Sequence, residues 1–256
     1  MSSREIERHE AQFGRFRSHA ATHAGTVRSL NQDAYVNRPD LGLWAVADGA
    51  GGHESGEIAS AEVAGLLQTI GEGLSAGEVL LEVRSRLEKA HARLRDMGSS
   101  RGTHAMVATT VVVLLVRDEH FACLWAGDSR AYLLRGHALT RITRDHTLVQ
   151  ALVESGDLSE AESVGHPQGN VITNAIGADS DVLDLEKRTG QLVPGDRLLL
   201  CSDGLFKAIS EEQVMELLSG DGDGAHRLIV AALAAQATDN VTVVTIEFEA
   251  EAGPTS

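Results

Sequence analysis

Four aspartates stand in the same kind of place along this chain. Asp48 ends the run LWAVAD, Asp128 follows FACLWAG, Asp203 ends LLLCSD, and Asp239 stands just before VTVVTI. Each has small or short polar neighbours: Gly49; Gly127 and Ser129; Ser202 and Gly204; Asn240. Glycine beside a carboxylate lets backbone carbonyls and ligands approach closely. If the strand after Asp239 runs antiparallel to the one before Asp203, both side chains emerge at one sheet edge. The same geometry brings in Asp48 and Asp128. Ionised carboxylates about 6 Å apart repel by roughly 3 kcal/mol per pair at an effective dielectric near 20. Such a group calls for protonation or for bound cations. Oxygen donors without Cys or His partners favour hard ions such as Mg²⁺ or Mn²⁺ over zinc. One aspartate at a strand end is ordinary turn chemistry; four in one context point to a metal site.

The elements that must position them are legible as short apolar, partly β-branched runs at 43–47, 109–116, 121–126, 198–201 and 241–248. Residues 131–134 and 138–142 flank Arg135-Gly136-His137 as a hairpin. Ala59, Val63, Leu67, Ile70 and Leu74 recur at helical spacing, as do Leu80, Val83, Leu87, Ala90 and Leu94. Further helices are expected over 147–155, 211–218 and 225–237. Two successive helices, then tightly linked strands, then more helices do not make a βαβ alternation. Too few residues separate Val116 from Phe121 for a crossover helix. The pattern predicts an α+β fold of mostly antiparallel sheets covered by helices.

Eight blocks make the sequence similar to the bacterial form of the metal-dependent PP2C-type (PPM) protein serine/threonine phosphatases. In order they are 25–33 (GTVRSLNQD), 46–53 (VADGAGGH), 108–110 (ATT), 127–132 (GDSRAY), 143–146 (TRDH), 171–177 (VITNAIG), 201–205 (CSDGL) and 239–242 (DNVT). The resemblance implies a four-layer α-β-β-α sandwich with two divalent ions, Mn²⁺ or Mg²⁺, in a cleft at one edge. It implies that Asp48 bridges both ions, that the Gly49 carbonyl binds the second, and that Asp203 and Asp239 hold the first. Asp128 with Asp203 would form a third, weaker site, and Asp33 would reach the ions through water. Water activated by two such ions attacks phosphorus in line with the leaving serine or threonine oxygen. A bidentate guanidinium suits the phosphoryl charge, and Arg28 holds the matching position.

The sequence departs from the family pattern in places. Ala50 stands where animal members carry a histidine proposed as general acid. His53 lies three residues on, where spacing favours a structural loop role. Asn174 replaces a residue that is often arginine, in the segment after a flap expected at about 145–171. His146 is expected to order the base of that flap.

Composition bounds the alternatives. The chain has 256 residues, Lys+Arg 22 against Asp+Glu 37, and a formal charge of −15. That excess argues against a nucleic-acid partner, which wants a basic face. The longest apolar run, 111–116 (VVVLLV), is far short of a membrane span, and the polar N-terminus lacks a signal-peptide core. Neither Cys123 nor Cys201 starts a CxxxxxR loop, since Ser129 and Lys207 occupy the arginine places. The GDGDG of 220–224 lacks an EF-hand's ligand series.

One domain over 16–248 is expected, with a flexible extension at 1–15 and a flexible tail at 249–256. The expected protein is a cytoplasmic monomer that removes phosphate from phosphoserine and phosphothreonine in proteins, opposing a Ser/Thr kinase, without nucleic-acid or membrane partners. The non-enzymatic rival is a pseudophosphatase that binds phosphoproteins, and its mark would be loss of metal ligands. A second rival is a regulator phosphatase acting on one small anti-sigma-antagonist-like partner, whose mark would be divergence around Arg28 and the flap.

Overall fold

The computed structural model describes residues 5–51, 54–100, 106–163 and 165–250. In chain order the strands are β1 (Glu7–Phe13), β2 (Phe16–His23), β3 (Asp33–Arg38), β4 (Leu43–Ala50), β5 (Ala108–Thr109), β6 (Val111–Arg117), β7 (His120–Ala126), β8 (Arg130–Arg135), β9 (Ala138–Arg141), β10 (Glu186–Gln191), β11 (Arg197–Cys201) and β12 (Val241–Phe248). Helices α1 (Ser55–Gln68) and α2 (Ala76–Ser100) separate β4 from β5, and α3 (Leu148–Ser155) and α4 (Glu160–Ser163) follow β9. Helices α5 (Asp203–Ala208), α6 (Glu211–Ser219) and α7 (Gly224–Ala234) lie between β11 and β12.

The strands form two sheets whose pairings are all antiparallel. One runs β1-β2-β12-β11-β8-β9; the other runs β10-β7-β6-β4-β3, with β5 paired to β4. Side chains alternate faces along a strand, and the central strands bury both. Trp44, Val46, Val112 and Leu114 meet Leu198, Leu200, Val244 and Ile246 between the sheets. Leu43, Ala45, Val111 and Val113 face the α1–α2 layer, where Val63, Leu67, Val83 and Leu87 are buried. Leu199, Cys201, Val241 and Val243 face Leu205, Val214, Leu228 and Ile229 of the α5–α7 layer. The result is the α-β-β-α sandwich, and double burial is why its central strands read as unbroken apolar runs.

The extension expected at 1–15 is corrected by β1. Residues 7–13 pair with β2 from Glu7↔Thr22 to Phe13↔Phe16. As an edge strand it exposes almost every side chain, so it carries no apolar pattern to read. Its charges make it a poor template for another chain's strand. At the other end Glu249 is bonded through its backbone to Arg15, and the rest of the expected tail, 251–256, lies outside the described residues. The first helix also ends sooner than its periodicity suggested, at Gln68, leaving Leu74 in the glycine-containing connection to α2.

Candidate metal and phosphate site

The proposed ligands come from separate elements of both sheets. Asp33 opens β3 and Asp48 lies near the end of β4, and they are cross-strand partners. Asp128 sits in the connection from β7 to β8. Asp203 is the first residue of α5, directly after β11, and Asp239 lies two residues before β12. All five gather at one edge of the sandwich.

The turns that carry them are held by side chains. Ser202 ends the β11 side of the site: its Oγ donates to Asp33 Oδ2 at 2.7 Å and accepts from the Thr242 N–H at 2.9 Å. One hydroxyl therefore ties one sheet's carboxylate to the other sheet's backbone. Asn240 shapes the loop carrying Arg28, donating to the carbonyls of Ala24 at 3.0 Å and Leu30 at 2.9 Å, while its Oδ1 accepts from Gln32 N–H at 2.8 Å. Thr110 and Ser129 share a 2.7 Å bond beside Asp128, and the Thr110 N–H donates to the Asp48 carbonyl at 2.8 Å. Two glycines are fixed by close backbone approach. A Cβ on Gly49 would lie 2.0 Å from the Gly56 carbonyl oxygen, and one on Gly204 would lie 2.0 Å from that of Asn240.

The cluster is electrostatically loaded. Burial pushes the Asp33 carboxyl up to about 7; Ser202 and Thr242 oppose that shift, and Asp203 and Asp239 add to it. Burial likewise raises Asp128 to about 7, Asp203 reinforcing it and Lys207 countering it. Asp48 is held well above the ordinary carboxylate range by burial and then by Asp33, Asp203, Asp128 and Asp239. Asp33 Oδ1 and Asp128 Oδ1 are buried without a hydrogen-bond partner among the described residues. Orphaned buried oxygens in a mutually repelling set of oxygen donors fit hard divalent cations. Among the described residues no three His, Cys, Asp or Glu side chains make a finished cage for one ion. Asp203 and Asp239 each face a cationic side chain.

Arg28 is one of these. Its Nε donates to Asp239 Oδ1 at 2.9 Å and its Nη2 to Asp239 Oδ2 at 3.0 Å. The fork expected to face phosphate is thus engaged at the cluster's rim, with Nη1 unpaired among the described residues. Carboxylate oxygens have spare lone pairs, so Asp239 can serve Arg28 and an ion together. Lys207 is the other. It lies one helical turn after Asp203 in α5 and its ammonium bonds Asp203 Oδ2. From sequence, Ser202 and Asn240 are only short neighbours of the aspartates, and Lys207 has no place in the site. For Lys207 the available signal was the i, i+4 spacing from Asp203, had α5 been recognised as a helix.

The remaining expected residues fall around the cluster. Ala50 follows Gly49 at the end of β4, and His53 lies outside the described residues. His146 stacks on Trp125 at 6.2 Å and accepts from the Gly127 N–H at 3.2 Å, linking the start of the 145–171 segment to the Asp128 turn. Asn174 donates to the Asp184 carbonyl at 2.8 Å and lies 3.1 Å from His146 Nδ1. The base of the segment is closed by the Thr147↔Ile172 bridge, with α3 and α4 above it.

Residues 21–220 match the family model "Protein phosphatase 2C". The chain is 35% identical over 227 residues to the serine/threonine protein phosphatase PstP of Mycobacterium tuberculosis, a match covering 88% of this chain and 43% of that protein. It therefore spans less than half the length of that relative. Among solved structures it is similar to PppA, a key regulatory component of T6SS in Pseudomonas aeruginosa, at 35% identity and TM-score 0.84, covering 91% of this chain and 97% of that one. It is also similar to the catalytic domain of PstP in complex with two manganese ions, at 32% identity and TM-score 0.80, covering 92% and 99%. A sandwich with this order of layers, carrying its aspartates at one edge where both sheets meet and matching over most of its length, belongs to the protein phosphatase 2C family.

Proposed function

We propose that this protein hydrolyses phosphoserine and phosphothreonine monoesters in phosphorylated proteins, using Mn²⁺ or Mg²⁺, and opposes a Ser/Thr kinase in the cytoplasm as a monomer. The observation that carries the reading is the convergence of Asp33, Asp48, Asp128, Asp203 and Asp239 from both sheets, with Arg28 at the rim. Asp48, the Gly49 carbonyl, Asp203 and Asp239 would hold two ions. When bound, those ions supply Lewis-acid polarisation and lower the pKa of water.

The chain's own groups do the rest. Arg28 orients an incoming phosphate through the guanidinium edge that Asp239 leaves open, and Asp239 fixes the plane of that guanidinium. Asp33, held by Ser202, keeps a buried carboxyl oxygen, unpartnered among the described residues, beside Asp48, where it would meet the ions through bound water. The segment at 145–171 borders the cleft as a lid over the substrate's protein portion. Among the described residues no helix is long and apolar enough to cross a membrane.

The test is hydrolysis of p-nitrophenyl phosphate and a phosphothreonine peptide with and without Mn²⁺, alongside Asp203→Asn and Asp239→Asn. Turnover should need Mn²⁺ and fall at least a hundredfold in both variants. Metal-independent turnover, or variants as active as the parent, would overturn the reading.

A further inference from the structure

We propose that the Lys207 ammonium is a chain-borne cation at the Asp128–Asp203 end of the cluster, and that this protein consequently binds two divalent ions where a third is otherwise expected. The inference rests on the metal-dependent reading above.

The geometry starts in the helix. Residues four apart share a face, so α5 presents Lys207 over Asp203, and the two form an ion pair. The side chain sits at the mouth of the site, 38% exposed, while Asp203 beneath it is 14% exposed. Asp128 is buried at 4% exposure, and its Oδ1 has no partner among the described residues. The ammonium is within electrostatic reach of Asp128 and Asp48 as well as Asp203.

An ion shared by Asp128 and Asp203 would compete with this ammonium for Asp203 Oδ2 and would be repelled by it at close range. Counted formally, the five aspartates with Arg28 and Lys207, two divalent ions and a phosphate dianion sum to −1, and a third ion would bring the count to +1, no nearer neutrality. With a neutral residue at 207 the count with two ions is −2, and a third ion brings it to zero.

The experiment measures Mn²⁺ bound per chain by equilibrium dialysis and elemental analysis, with the free ion raised to millimolar levels. The parent is compared with Lys207→Gln, Lys207→Arg and the double variant Lys207→Gln/Asp128→Asn, circular dichroism confirming that each is folded. Two ions should bind to the parent and to Lys207→Arg. A third should appear in Lys207→Gln, at least tenfold tighter than any further binding to the parent, and should vanish in the double variant. A parent that binds two ions while Lys207→Gln gains none overturns this inference alone. So does a parent that already binds three. A parent that binds no Mn²⁺ overturns both this inference and the phosphatase reading.

Discussion

Arg28 and Asp239 meet at two points, Nε to Oδ1 at 2.9 Å and Nη2 to Oδ2 at 3.0 Å, although 211 residues separate them. The pair joins the loop before β3 to the turn before β12. It couples the residue proposed to greet phosphate to one proposed to hold an ion.

Arg28→Ala should therefore raise KM for phosphopeptide about tenfold or more, by removing a charge-assisted contact. The side chain is 54% exposed, so the pair itself adds at most about 1 kcal/mol to stability, and thermal melting should barely move. Mn²⁺ uptake, measured by calorimetry, should stay intact. Loss of uptake would mean that Arg28 chiefly braces Asp239. Arg28→Lys should recover little, because an ammonium cannot hold Asp239 at two points and still offer a donor.

Stripping the metals should invert the usual pH response. The carboxyls of Asp33 and Asp128 are raised to about 7 in the fold, against about 4 in an unfolded chain. Between those values the folded state binds more protons than the unfolded one, so stability falls with rising pH and levels off above 7. Chelator-treated protein should melt several degrees lower at pH 8 than at pH 5. Saturating Mn²⁺ should reverse that order. A melting temperature that is flat across this range in chelator would contradict the packing described for the cluster.

Gly204→Ala should be costly despite its small size. The added methyl would stand 2.0 Å from the Asn240 carbonyl oxygen, and backbone must move to admit it. Overpacking of this kind costs about 1–3 kcal/mol. Urea titration should report that loss, and dialysis should show weakened Mn²⁺ binding as Asp203 shifts with its helix.

Asn240→Ala should damage the Arg28 loop without touching a proposed ligand. It deletes bonds to the carbonyls of Ala24 and Leu30 and to the Gln32 N–H. The outcome to look for is faster amide exchange across 24–32 with a raised KM. Unchanged exchange there would show that the strands alone hold the loop.

Cys123 and Cys201 should be silent. Both are buried and free, and burial pushes the Cys201 thiol up to about 12 and the Cys123 thiol higher still. Thiolates do the reacting, so iodoacetamide should label neither in the folded protein and turnover should persist. Rapid labelling with loss of activity would reopen a thiol mechanism.

What could be read without coordinates follows burial. The strands β4, β6, β7, β11 and β12 are buried on both faces and announce themselves as apolar runs; β1 and β10 lie at sheet edges and read as polar loop. In β2 the obstacle differs, because it buries Ser18, His19, Thr22 and His23. Polar side chains satisfied across the fold, as in the 2.6 Å Thr22–Thr242 bond, have no periodic signature. The convergence of Asp48, Asp128, Asp203 and Asp239 was legible from their repeated context at strand ends. Arg28's engagement with Asp239 and the place of Lys207 were not, because both depend on which side chains a fold sets face to face.

The Ser202 hydroxyl links Asp33 of one sheet to backbone of the other, and the aspartates are divided between the two sheets. Neither half of the sandwich therefore owns a usable site. On the proposed function, catalytic competence would arrive only when the halves have docked, and a partly folded chain would lack the site. Ions bound across both sheets would in turn stabilise the docked sandwich over its separated halves.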